Sequence, residues 1–172
     1  IIGEGYESMQ MESLYMGCVS YSKRFFSDGK VTREAMQHAE LAARMELQTV
    51  KTGYSAGHWQ EAIGSSGTAR ALADLLEQNG WSQSGITAEG LAQLRLAMIK
   101  TGDCKKLELA GMKADRIPVL PGGFAIMSAI FRELGLQRMA IADTALREGV
   151  LYDMVGRFHH QDVRDATVNQ FM

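Results

Sequence analysis

The residues best suited to chemistry lie in the run Gly64-Ser65-Ser66-Gly67-Thr68. Two glycines let a backbone approach an anion closely, and the amides opening the helix that follows point at it with the positive end of the helix dipole. Ser65, Ser66 and Thr68 add hydroxyl donors. The run lacks the lysine of a P-loop and the third glycine of a dinucleotide fingerprint. Residue types alone therefore leave two readings open, a phosphate cradle and a tight strand-to-helix turn capped by Thr68.

Two further groups could line a cleft. Asp143 follows a short predicted strand, and Arg147 and Glu148 lie in the first turn of the helix after it. The carboxyl end of a strand is where α/β sheets place their chemistry, although an N-cap aspartate beside a solvated Arg-Glu pair explains the same residues. Lys23 and Arg24, read as following a strand and flanked by Tyr21, Phe25 and Phe26, are either polyanion contacts or a snorkelling surface pair. His159 and His160 with Asp162 read as surface, because adjacent histidines do not share a helix face. Cys18 and Cys104 stand far apart without metal-ligand spacing, as two buried thiols would in a reducing compartment.

The elements that must position these groups alternate in type. Ser8 to Met16 reads as a strand running into Gly17 to Tyr21, with Gly3 and Gly5 marking a turn before it. Thr32 caps a helix with Met36, Ala39, Ala43, Leu47 and Val50 on one face and Gly53 at its stop. A strand from Trp59 to Ile63 precedes the glycine run, and the helix after that run carries Leu72, Leu75 and Leu76 and stops at Gly80. Thr87 caps another helix, through Leu91, Leu94 and Met98, with Gly90 weakening its first turn. Pro118 and Pro121 argue against a central strand at Ile117 to Leu120, so Pro121 opens a helix that ends at Gly135. Met139 to Ala142 is the last short strand, followed by a helical stripe through Leu146, Val150, Leu151, Met154 and Val155. Strands alternating with helices predict an α/β domain.

Composition narrows the function classes. The 172 residues are 46% hydrophobic and 22% charged with two prolines, which excludes a disordered tail or a low-complexity linker. Eighteen basic against twenty acidic residues give a net charge of −2, so a DNA-binding role resting on a strongly basic surface is not expected. The nearly apolar stretch Val119 to Phe131 is too short to span a bilayer, and a cytoplasmic location with no membrane partner is the expectation.

Taken together, Met16-Gly17-Cys18-Val19-Ser20, Gly64-Ser65-Ser66-Gly67-Thr68, Leu120-Pro121-Gly122-Gly123 and Ala145-Leu146-Arg147-Glu148-Gly149-Val150-Leu151-Tyr152 resemble the exopolyphosphatase and guanosine-pentaphosphate phosphohydrolase (Ppx/GppA) family. The resemblance covers essentially the whole chain. It implies a ribonuclease-H-like (actin-like ATPase) domain, a mixed sheet flanked by helices, the second of two such domains that share a cleft. Residues 1–156 are expected to form that domain, truncated at its start, and 157–172 the helical entry to a following region. The family's Asp-Ile-Gly-Gly-Gly-Ser-Thr-Glu loop would precede Ile1, so the domain is expected to lack its first strand, which belongs between the Ile1-Ile2 strand and the Trp59 to Ile63 strand.

The same resemblance implies release of terminal phosphate with magnesium as cofactor, its ligands expected upstream of residue 1. It assigns no catalytic or metal-binding residue to this chain and makes Gly64 to Thr68 the cleft-facing phosphate loop. Thr144 stands where the family usually has glycine. The partners implied are polyphosphate or guanosine pentaphosphate, the first domain of the same protein and a second copy in a homodimer. His159 to Arg164 tilts the expectation toward exopolyphosphatase activity. Guanosine pentaphosphate 5′-phosphohydrolase activity is the alternative, and a non-catalytic phosphate-sensing or dimerisation module is another.

Overall fold

The computed structural model describes residues 1–5 and 7–142, together with Leu151 and Met154. Asp143, Arg147, Glu148, His159, His160 and the expected helical entry at 157–172 lie outside the described residues.

The chain opens with a hairpin of β1 (Ile2–Glu4) and β2 (Glu7–Gln10), paired antiparallel with a register shift between Ile2 and Gly3. A Cβ on Gly3 would lie 2.7 Å from the Glu7 carbonyl oxygen, so only glycine allows the strands to close there. The strand expected through Gly17 to Tyr21 is instead helix α1 (Cys18–Phe25). Cys18, Tyr21, Ser22 and Phe25 repeat at three and four residues, and this period overrides the loose alternation before it. The Tyr21 and Phe25 rings pack 5.4 Å apart on the resulting inner face.

Helix α2 (Arg33–Leu47) starts as expected, with the Thr32 hydroxyl accepting the Ala35 amide at 3.1 Å and Met36, Ala39, Ala43 and Leu47 buried. It stops at Leu47 rather than at Gly53, which falls inside a separate short helix, α3 (Lys51–Tyr54). Gly53 there faces the Gln10 side-chain amide, whose nitrogen lies 2.5 Å from where a Cβ would stand.

The expected strand at Trp59 to Ile63 contracts to β3 (Ile63–Gly64), and Trp59 turns toward the core with its indole N–H on the Tyr54 carbonyl. Helix α4 (Gly67–Gln78), β4 (Ile86–Thr87) and α5 (Ala88–Thr101) follow. Gly90 lets α5 close on α4, since a Cβ would meet Leu76 Cδ1 and the Trp81 carbonyl at 2.9 Å. A 3-10 turn (Ile117–Val119) leads into α6 (Leu120–Leu134), with Pro121 in its first turn and Gly135 left-handed at its end. β5 (Arg138–Ile141) then lies between β3, to which it is parallel, and β4, to which it is antiparallel.

Helix α6 is the axis of the domain. By length and composition Ile117–Leu134 is apolar enough to cross a membrane, and the fold uses it instead as the core helix, packed on α1, α2, α4 and α5. Phe124 on α6 is fully buried beside Met36, Leu72, Leu76 and Leu94. At its far end Glu133 is buried yet ionised. It pairs with Arg44 and with Lys51 at 2.9 Å and accepts the Gln48 amide at 2.8 Å. Those hydrogen bonds hold its carboxyl at about 2, against an ordinary 4.5. The two sheets do not join: between β1 and β3 runs a groove of about 760 Å³, walled by Ile2, Met9, Ile63, Leu134 and Met139. The buried Tyr54 hydroxyl in its lining has no hydrogen-bond partner among the described residues. This is the position at which the family resemblance inserts a strand.

Two outcomes follow from these features. Because the folded carboxyl titrates below the unfolded one, the Glu133 contribution is present above about pH 4.5 and is lost as pH falls toward 2. Glu133→Gln therefore costs about 1.5–3 kcal/mol at neutral pH and little near pH 2, read from thermal unfolding at both. An extended apolar segment fused ahead of Ile1 raises the unfolding midpoint by about 5 °C or more, since roughly 1 kcal/mol moves a domain of this size by about 2–4 °C; an unchanged midpoint shows that the groove takes no strand.

Candidate phosphate site

The glycine run forms the junction of β3 and α4. Gly64 is buried at the end of β3, where a Cβ would come within 2.9 Å of Ala69 and of the Met139 sulfur. Ser66, not Thr68, is the N-cap: its hydroxyl accepts the Ala69 amide at 3.0 Å. That leaves the amides of Gly67 and Thr68 at the exposed end of a twelve-residue helix, where its dipole is positive. Thr68 turns its methyl group to α6, so its role is packing, whereas Ser65 and Ser66 stay exposed at the loop.

A residue that no local pattern marks completes this end. The Arg116 guanidinium lies against Gly67, with Nη1 and Nη2 each 3.2 Å from where a Cβ would stand. It is delivered there by the turn before α6: the Arg116 amide closes on the Lys113 carbonyl, and Lys113 pairs with Asp74 of α4 at 2.9 Å. Arg116 also makes a longer contact to Asp115, at 3.3 Å. Forty-nine positions separate Arg116 from Gly67, so only the path of the chain between α5 and α6 could reveal the pairing.

A second helix start meets the first. Helix α1 opens at Gly17 without a side-chain cap, and its first residue, Cys18, comes to the same point on α6 as Thr68. A Cβ on Gly123 would stand 3.3 Å from Cys18 Cβ and 2.7 Å from Thr68 Cγ2. The positive ends of α1 and α4 therefore converge on the first turn of α6, with a guanidinium beside one of them. Such an arrangement is complementary to a multiply charged oxyanion.

The remaining candidates separate from this point. Lys23 and Arg24 occupy the last turn of α1, at the end away from Cys18, and Arg24 lies 4.9 Å from the centre of the Phe25 ring. They belong to a helix rather than following a strand, at its end away from the glycine loop. Arg70, in the first turn of α4, donates to the Ala142 carbonyl at 2.6 Å and so ties the exit of β5 to the same helix start. Cys104 is buried and its thiol is pushed up to about 12 by desolvation, which leaves it unreactive; Cys18 is half-buried and neither forms a disulfide. Among the described residues no three His, Cys, Asp or Glu side chains gather as metal ligands. The donors at the loop are amides, hydroxyls and a guanidinium, a set that suits an anion and does not fit magnesium.

A parallel strand ending in a glycine loop, a helix start behind it and a guanidinium against its first residue mark an α/β domain with an anion-complementary loop. The chain belongs to the Ppx/GppA phosphatase family, whose sequence pattern matches residues 1–158. It is 37% identical over 172 residues to the guanosine-5′-triphosphate,3′-diphosphate pyrophosphatase of Aeromonas hydrophila subsp. hydrophila and 36% identical to that of Aeromonas salmonicida. The match takes in 100% of this chain and 34% of each of those proteins, so the chain spans about a third of their length. Its fold is that of the Aquifex aeolicus PPX-GPPA enzyme, with a TM-score of 0.71 at 22% identity over 87% of this chain and 50% of that one. The mixed α/β, actin-like architecture expected from the sequence is therefore the one observed.

The capping assignment has a direct check. Ser66→Ala lowers stability by about 1 kcal/mol in denaturant unfolding, whereas Thr68→Ser, which removes only the methyl resting on Gly123, leaves the α4 cap intact. A larger loss of helix protection in Thr68→Ser than in Ser66→Ala reverses the assignment.

Proposed function

We propose that this chain forms one wall of the cleft of a phosphohydrolase acting on the 5′ triphosphate end of guanosine pentaphosphate. The observation that carries the reading is the meeting of two helix starts at Gly123 with Arg116 over Gly67. Its support on the substrate side is the likeness to proteins named guanosine-5′-triphosphate,3′-diphosphate pyrophosphatase. The tilt toward polyphosphate rests on His159 to Arg164, outside the described residues, and those names outweigh it.

In this reading the amides of Gly67, Thr68 and the first turn of α1, with the Arg116 guanidinium, hold the non-bridging oxygens of a phosphoryl group. Fixed donors of this kind stabilise the charge that spreads over those oxygens during in-line transfer, with no reorganisation at the moment of reaction. Ser65 adds an exposed hydroxyl at the rim. The carboxylate that directs the attacking water comes from outside the described residues, as do any magnesium ligands, and the opposite wall is a first domain of the same protein.

The test uses the full-length protein that carries this sequence, with magnesium, and compares phosphate release from guanosine pentaphosphate and from long-chain polyphosphate. The expected result is a higher kcat/KM for guanosine pentaphosphate and a loss of about tenfold or more in Arg116→Ala, the order set by one charge-assisted contact of about 1.5–3 kcal/mol. A preference for polyphosphate moves the assignment to exopolyphosphatase. No release from either substrate moves it to a phosphate-sensing module.

A further inference from the structure

We propose that Ser22 is a positioning residue for the phosphate site, acting through the first turn of α6; the inference rests on the phosphate reading given above. Helix α6 begins without a cap of its own, because Val119 supplies no side-chain acceptor and Pro121 has no N–H. The acceptor comes from a hundred residues away. Ser22, buried in the middle of α1, takes the Gly122 amide on its hydroxyl at 3.0 Å.

The contact is unusually close on every side. A Cβ on Gly122 would lie 2.5 Å from the Ser22 nitrogen, 2.6 Å from its hydroxyl and 2.6 Å from the Cys18 carbonyl. The next residue, Gly123, touches Thr68 of α4 as well as Cys18. One turn of α6 thus acts as the spacer between the α1 and α4 amides, and Ser22 is the only side chain hydrogen-bonded across the α1–α6 side of it among the described residues. Hydrogen bonds to an anion tolerate only a few tenths of an ångström. A shift of the spacer therefore weakens binding of any oxyanion shared between the two helix starts, while the reacting groups stay where they are.

The experiment compares Ser22→Ala, Ser22→Cys and Glu133→Gln in the full-length protein. Glu133→Gln is the matched control: it loosens α6 at the opposite end, away from the spacer. Three quantities are read: KM and kcat for guanosine pentaphosphate, the dissociation constant of inorganic phosphate, and amide hydrogen exchange over residues 117–127. Ser22→Ala is expected to raise KM and the phosphate dissociation constant three- to tenfold, with kcat falling by no more than the same factor. Exchange at 120–124 should speed about tenfold, and Ser22→Cys, a weaker acceptor, should fall between. Glu133→Gln should leave KM at its original value despite its lower unfolding midpoint. A Ser22→Ala protein with unchanged KM and phosphate affinity overturns the inference alone, as does a Glu133→Gln protein whose KM shifts equally. A parent protein that neither binds phosphate nor hydrolyses either substrate overturns the phosphate reading, and this inference with it.

Discussion

The first turn of α6 carries no side chain at two successive positions, and the domain is arranged around that gap. Gly122 admits the backbone of α1 and Gly123 admits Thr68 of α4, so three helices meet at distances that a single methyl group would forbid. Everything else about the site follows from this closeness. The starts of α1 and α4 share one face because both rest on the same turn, and Arg116 reaches Gly67 because its turn enters that helix. At the other end Glu133 fixes α6 to the end of α2 and the start of α3 through Arg44, Gln48 and Lys51, so the axis of the fold is held at both extremities by polar groups and along its length by apolar packing.

Much of this was legible in the residues. Thr32, Thr87 and Pro121 mark helix starts by chemistry that acts within four residues, and each behaves as expected. The failures share a cause. Gly17 to Tyr21 reads as strand because Val19 and Tyr21 favour it, but the face presented by Cys18, Tyr21, Ser22 and Phe25 is selected by α6, more than ninety residues downstream. Gly53 reads as a helix stop and lies instead inside α3, facing the Gln10 side chain. A glycine has the same local meaning in both roles, and only the tertiary neighbour separates them.

The site was legible in one half. The glycine run reads from its spacing as either a strand-to-helix turn or an anion cradle, and the turn is what its position between β3 and α4 displays. Its cation could not be read, because Arg116 belongs to a polar turn whose sequence resembles any other surface connection. Lys23 and Arg24 show how context adds a second reading: a basic pair beside aromatics suggests a polyanion contact, and at the end of a short helix the pair also complements the dipole while Arg24 lies over the Phe25 ring. Charge in a sequence identifies a contact only when the backbone that carries it is known.

The groove between β1 and β3 has a consequence for handling the chain as well as for its fold. Each bordering strand offers an edge with no ladder partner among the described residues, and Ile1, Met9 and Ile63 stand exposed beside those edges. Open, apolar edges are templates for pairing with another chain. The edge that could take a strand of the same chain is equally open to a strand of another copy, so pairing in trans competes with any completion in cis.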